Sequence, residues 1–142
     1  VRAAYNAWEV VNLQVVAKLS KGSNPWTEHY SAVMAEVPDA QDAATQLNRP
    51  FLDTLLPAQQ IYIGGEAGSH CVKASTEHIA DYLQDQQGPQ AVARLVLLTD
   101  CMSPVTGFET QQRDFLAAMQ ARGARLATVE AILPELLANA GA

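Results

Sequence analysis

The residue best placed to do chemistry is Cys71, within the segment IYIGGEAGSHCVKAS that runs from Ile61 to Ser75. Ile61, Tyr62 and Ile63 form a short β-prone apolar run, and Gly64-Gly65 end it with residues that tolerate unusual backbone angles. From Cys71 the period changes. Val72, Ile79, Tyr82 and Leu83 recur at helical spacing, while Lys73, Glu77 and Asp81 can face water. The pattern predicts Cys71 in the first turn of a helix, among unpaired N–H groups and at the positive end of the helix dipole. Both favour thiolate over thiol, and thiolate is the nucleophilic form. The same amides can hold an oxyanion forming on an attacked carbonyl. The alternative is a small buried cysteine that only packs at a strand end. The glycine-rich turn before it and the helix after it favour the nucleophile.

Other polar residues are weighed against that centre. Lys21 by default is a solvated surface lysine, but its Gly22 neighbour and its place after a predicted strand put it on the same rim as Cys71. Glu28 and His29 read as loop groups that support the site. His70 adjoins the nucleophile. Neighbours on a tight turn usually point apart, so it is expected to line the substrate space or to brace the turn rather than act as a Cys-His base. His78 reads as helix surface, and Cys101 as packing.

The elements that must position these groups follow from periodicity. Residues Arg2 to Leu13 read as a helix with Ala4, Tyr5, Trp8 and Val11 on one face, and Gln14 to Ser20 as a short strand. The stretch from Lys21 to Asn48 lacks clear periodicity, as functional loops often do. Pro50 to Ala58 reads as a short helix. Strand Ile61 to Ile63, helix Cys71 to Gln84, strand Leu95 to Leu98, a loop from Asp100 to Gly107 and helix Phe108 to Ala121 come next. Gly123 caps that helix, strand Arg125 to Thr128 follows, and a final helix runs from Val129 to Ala140. Nearly continuous apolar strands alternating with helices predict an α/β fold, a parallel sheet with helices on both faces. Ligands of such sheets bind outside the carboxyl ends of the strands, where Lys21, Cys71 and the Asp100–Phe108 loop are expected to converge.

The chain has 142 residues, and 49% of them are hydrophobic, enough for one domain with a real core. Its 9 Lys and Arg against 15 Asp and Glu give a net charge of −6. That acidity argues against nucleic acid or an anionic membrane as partner. Two cysteines make no disulfide framework, and no Cys/His spacing suggests structural zinc. No apolar run is as long as a membrane span and none resembles a secretory signal, so a cytoplasmic setting is expected.

Three segments carry a resemblance to a known family. GEAGSHCV followed by KASTEHIADYL resembles the nucleophile segment of the isochorismatase-like cysteine hydrolases, which include nicotinamidases. KGSNPWTEHYS, from Lys21 to Ser31, resembles the lysine loop of nicotinamidases, where a Lys-Gly pair precedes a Tyr-Ser. LLTDCMSPVTGFE, from Leu97 to Glu109, is similar to the strand and loop that follow the nucleophile helix. They occur in the family's order and span most of the chain.

The resemblance implies an isochorismatase-type three-layer sandwich and a Cys-Lys-Asp triad. Cys71 would attack an amide carbonyl and form a thioester that water hydrolyses, and Lys21 would stabilise the thiolate. A non-proline cis peptide would fall at Glu66-Ala67, with the Ala67 and Cys71 amides forming the oxyanion hole. The family's aspartate, in a pattern like VDxQxDF after its first strand, has no counterpart before Lys21. The family's divalent, zinc-like metal site belongs to the same absent region, so its ligands are expected outside this chain. Residues 1–142 are thus expected to form a single domain, the C-terminal portion of the family's hydrolase domain. The segment that carries the acid is expected as a partner, and alone the chain would be inactive and prone to aggregate. Nicotinamide is the leading substrate. Another small amide, isochorismate, or a catalytically incomplete binding or scaffold module are the alternatives, and a homo-oligomer is possible.

Overall fold

From Ile61 onward, short Ile-, Val- and Leu-rich runs alternate with longer stretches of helical period. The backbone follows that alternation in the computed structural model, which describes residues 1–139. Helices α1 (Arg2–Asn12) and α2 (Arg49–Asp53) come first. Then follow β1 (Ile61–Glu66), α3 (Cys71–Gln87), β2 (Leu95–Ser103), α4 (Glu109–Ala121), β3 (Arg125–Ala127) and α5 (Val129–Asn139). The strands are all parallel, in the order β1-β2-β3.

Alternation along the strands divides the core between two faces. Ile61, Ile63, Leu95, Leu97 and Leu126 belong to one apolar cluster with Val72, Ile79, Ala80 and Leu83 of α3 and with Phe115 and Met119 of α4. Val96 and Ile132 are buried outside that cluster, on the face where α5 meets β2. Each large side chain so buried contributes about 1.5–3 kcal/mol relative to exposure. The parallel sheet with helices on both faces is the architecture that the apolar periodicity predicts.

The ladder between β1 and β2 is interrupted. Ile63 pairs with Leu97 but Gly65 pairs with Met102, so β2 advances from residue 97 to 102 while β1 advances only from 63 to 65. Cys101 lies in the resulting bulge, and a Cβ at Gly64 would stand 2.9 Å from the Cys101 Cβ. Glycine at 64 is therefore a packing requirement. Asp100, also in the bulge, accepts from the Val129 N–H with both carboxylate oxygens at 3.0 Å and caps α5. At the sheet's amino end Glu135 of α5 binds Arg125 at 2.7 Å and the Tyr62 hydroxyl at 2.6 Å. The Arg125 guanidinium, then the Tyr62 hydroxyl, hold the Glu135 carboxyl below the usual range, and Glu135 in turn pushes the Tyr62 hydroxyl up.

Several elements depart from their sequence-based bounds. Gln14 to Ser20 is not a strand. Val15 is 84% exposed, the Val16 N–H donates to Glu9 Oε1 at 2.8 Å, and Lys18 pairs with the same carboxylate at 3.3 Å. The segment folds back on α1 because no strand lies beside it to complete a ladder. Helix α1 buries none of its residues, so the face with Trp8 and Val11 covers nothing among the described residues. The helix expected over Pro50 to Ala58 stops at Asp53 and continues as turns. Strand β2 runs to Ser103, past the expected loop start at Asp100, because pairing with β1 resumes beyond the bulge. Ala140, the expected end of α5, lies outside the described residues.

Phe115, 1% exposed, is the largest fully buried side chain, whereas Trp8 is 44% exposed. Phe115→Ala should lower the free energy of unfolding in urea by about 3–5 kcal/mol, and Trp8→Ala by less than about 0.5 kcal/mol. Equal losses would mean that α1 belongs to the core.

Candidate active site

Strand β1 ends at Glu66, the Glu66–Ala67 peptide bond is cis, and α3 begins at Cys71. Between them the chain makes a tight turn tied to the end of β2. The Gly68 N–H donates to the Ser103 carbonyl at 2.8 Å, and the Val105 N–H donates to Ser69 Oγ at 3.0 Å. Within the turn, the His70 and Val72 N–H groups both donate to the Ala67 carbonyl at 3.1 Å. Gly68 is buried under α4, where any Cβ would collide with the Gln112 side chain. Among the described residues neither the Ala67 nor the Cys71 N–H donates to a loop or turn carbonyl.

Lys21 reaches the same point from a segment without regular structure. Its Nζ lies 3.2 Å from Cys71 Sγ, and it also donates to the His29 carbonyl at 2.8 Å and the Tyr30 carbonyl at 2.6 Å. Three acceptors match the three N–H bonds of an ammonium. The loop that carries those carbonyls is anchored on α3: the Ala32 N–H donates to Ser75 Oγ at 2.9 Å, and Ser75 donates to the Cys71 carbonyl at 2.7 Å. Ser31, Val33 and Ala35 are buried beside it, and the Glu36 N–H closes the loop on the Glu28 carbonyl at 2.9 Å. Glu28 and His29 thus contribute through their backbone oxygens, which residue type does not reveal.

Cys71 and Lys21 share a cavity of about 300 Å³ with Ala32, Ile63, Gly64, Gly65, Glu66, Val72 and Ser75. A larger hollow of about 680 Å³, lined by Ala58, Gln59, Gln60, Tyr62 and Glu135, lies at the amino end of β1 and contains no nucleophile. His70 lines a neighbouring cleft of about 270 Å³ rather than the Cys71 cavity. Its ring meets Phe108 edge-on at 4.7 Å and Tyr30 at 5.5 Å, and its Nδ1 lies 2.8 Å from Ser69 Oγ. That ring braces the turn against the loop after β2. Cys101 is exposed within β2, and His78 is half-buried between two clefts rather than on open surface.

Ser69 and Ser75 are the residues that sequence reasoning missed, because only their tertiary neighbours give them a role. Tyr30 and Phe108 lie in segments that it singled out, but their ring contacts with His70 are not visible there. Among the described residues no group of three His, Cys, Asp or Glu converges to hold a metal ion, so this part of the fold does not fit a metal and no step below runs through one. No described helix is long and apolar enough to cross a membrane.

No protein-family model matches the sequence, and no curated protein matches it. The chain is similar to the solved structure of the yeast nicotinamidase Pnc1p, with a TM-score of 0.57 at 17% identity over 87% of this chain. It spans half the length of that enzyme. At that identity the likeness speaks for the fold alone: the parallel sheet and its flanking helices share the α/β fold of part of that structure.

Proposed function

We propose that this chain carries the nucleophile of a cysteine-dependent hydrolase of small amides, with nicotinamide to nicotinate and ammonia as the leading reaction. The observation that carries the reading is the 3.2 Å approach of Lys21 Nζ to Cys71 Sγ across a separation of 50 residues. A solvated lysine does not gather two carbonyls and a thiol by chance. The fold shared with Pnc1p, a nicotinamidase, supports the same chemistry.

The reaction follows from the geometry. The Cys71 thiolate adds to the amide carbonyl, and the oxygen takes up negative charge beside the Ala67 and Cys71 amides. Collapse breaks the C–N bond, releases ammonia with a proton from an acid, and leaves a thioester on Cys71. Water then adds and the C–S bond breaks, yielding carboxylic acid and free thiol. Lys21 serves as a fixed positive charge, because its three N–H bonds are already engaged by Sγ and two carbonyls.

The proton carrier comes from a further segment of the same domain. Strand β1 pairs with β2 on one side only, and an unpaired edge beside a reactive thiol is a template for another strand. That segment, in the same polypeptide or another, would bring the aspartate and any metal ligands. The setting consistent with this chemistry is cytoplasmic.

Cys101 is exposed whereas Cys71 is half-buried, so access alone favours Cys101. In the assembled protein, iodoacetamide near neutral pH should nevertheless label Cys71 first, and Cys71→Ala should abolish turnover while leaving the circular dichroism spectrum intact. Preferential labelling of Cys101 would remove Cys71 as nucleophile.

In the assembled enzyme Lys21→Ala should lower kcat by about 10²–10³-fold, the usual loss for one electrostatic partner of the transition state. Lys21→Arg should recover little, because a planar fork cannot satisfy two carbonyls and a sulfur from one point. Near-normal kcat in Lys21→Ala would show that the contact is incidental.

Residues 1–142 alone should not hydrolyse nicotinamide, and adding or fusing a segment with a VDxQxDF-like strand should restore ammonia release. Full activity of the isolated chain would require a base within it.

A further inference from the structure

The Cys71 cavity has one acid on its wall. Glu66, the last residue of β1, is the single carboxylate among the residues that line it, and Lys21 is the single cation. The two charges are differently placed. The Lys21 ammonium is consumed by its contacts with Cys71 Sγ and the His29 and Tyr30 carbonyls. With Cys71 as thiolate, the lysine and the sulfur form a pair of no net charge. No hydrogen bond or ion pair engages the Glu66 carboxylate among the described residues, so its charge is not cancelled. Lys73, in the adjoining cleft, is paired with Glu77 at 3.0 Å, and Glu36 adds a further negative charge there.

The rest of the wall is Ala32, Ile63, Val72, Ser75 and two glycines. Glu66 is itself exposed, so its charge acts through solvent and at short range on molecules that enter the cavity. Its backbone is held in the ladder opposite Ser103, which anchors the base of the side chain beside the cavity.

We propose that Glu66 selects substrates of the Cys71 site by charge, admitting neutral or cationic amides and turning away anionic ones. The proposal rests on the amide-hydrolase reading and narrows it. A primary amide has N–H donors for an ionised carboxylate, which only accepts. An acid-bearing substrate such as isochorismate would place its carboxylates against Glu66. Hydrolysis also changes the sign of the problem, since a neutral amide enters and a carboxylate must leave. The same charge that tolerates the substrate therefore favours release of the product.

The test reads the potential at the thiol and needs no turnover. In a Cys101→Ser background, the rates at which Cys71 of the 142-residue chain reacts with cationic, neutral and anionic alkyl methanethiosulfonates are divided by those of 2-mercaptoethanol. The native protein should prefer the cationic over the anionic reagent, and the preference should vanish in urea. Glu66→Gln should shrink that preference, read as the ratio of cationic to anionic rates so that any change in the reactivity of the thiol itself cancels, by about three- to tenfold, the effect of one unit charge at cavity distance in a solvated site. Glu66→Lys should reverse it. Should these variants fail to fold, raising the ionic strength of the unsubstituted chain from about 0.01 M to about 1 M should abolish the preference. A preference for the anionic reagent, or the same ratio in Glu66→Gln, would overturn the role of Glu66. Loss of the hydrolase reading would show instead as absent turnover in the assembled protein with this charge preference intact.

Discussion

The parallel ladder between β1 and β2 fixes where chemistry can occur. It resumes after the bulge at Gly65–Met102 and Glu66–Ser103, and the Gly68 N–H extends it by one more bond to Ser103. Those bonds determine where β1 stops, hence where the turn to α3 begins and where the first helical N–H groups point. Had the strands stayed in simple register, Met102 could not oppose Gly65, and the loop that supplies Val105 and Phe108 to the turn would be displaced along the sheet. The bulge in β2 is thus part of the site, although it lies on the neighbour of the strand that leads into Cys71. Bulges beside active sites commonly re-aim side chains in this way.

The lysine is held by a different kind of order. Residues 14–42 form neither strand nor helix, yet the exposed Lys21 is held in place by two carbonyls and a thiol that saturate its ammonium. Irregular backbone can do this only if its own polar groups are satisfied elsewhere. Here Ser75 accepts from Ala32, Thr45 accepts from Ala35 through its carbonyl, and Asp42 accepts from Asn24. Buried Ser31 and Thr45 supply hydroxyls where a regular element would supply ladder bonds. Position comes from an anchored loop, so a substitution at Thr45 acts on the site from outside the cavity, whereas one at Ser75 acts both through the loop and on the cavity wall.

The sequence made the second half of the fold legible because there each element is stabilised by its own periodic face. Ile61, Leu95 and Leu97 announce strands, and Val72, Ile79 and Leu83 announce the helix that covers them. Cys71 was legible from type and setting; Lys21 was legible from its Lys-Gly pair but not from its setting, since the strand expected before it is absent and an irregular segment brings it to Cys71. The first half was not legible for the opposite reason. Val15, Val16 and Leu19 have strand-like character, but a strand is a property of two segments, and Val15 has no neighbour to pair with. Trp8 and Val11 likewise mark a helical face without a surface beneath it. The roles of His29 and Tyr30 at the lysine are carried by backbone oxygens, which every residue possesses and no pattern of side chains can reveal.

Charge and proton traffic at the thiol are therefore separate tasks on separate residues. A lysine whose every N–H is engaged can compensate charge but cannot accept a proton, and releasing one would leave a carbonyl or the sulfur without its donor. Serial protonation of the leaving amine and deprotonation of water need a group that alternates between two states. Among the described residues the cavity offers one carboxylate, Glu66, to which the proposed selection of approaching and leaving molecules is assigned. The proposed amide chemistry thus needs a third ionisable group besides Lys21 and Glu66. Among the described residues β1 pairs with β2 alone, and Ile63 to Glu66 of that strand line the same cavity.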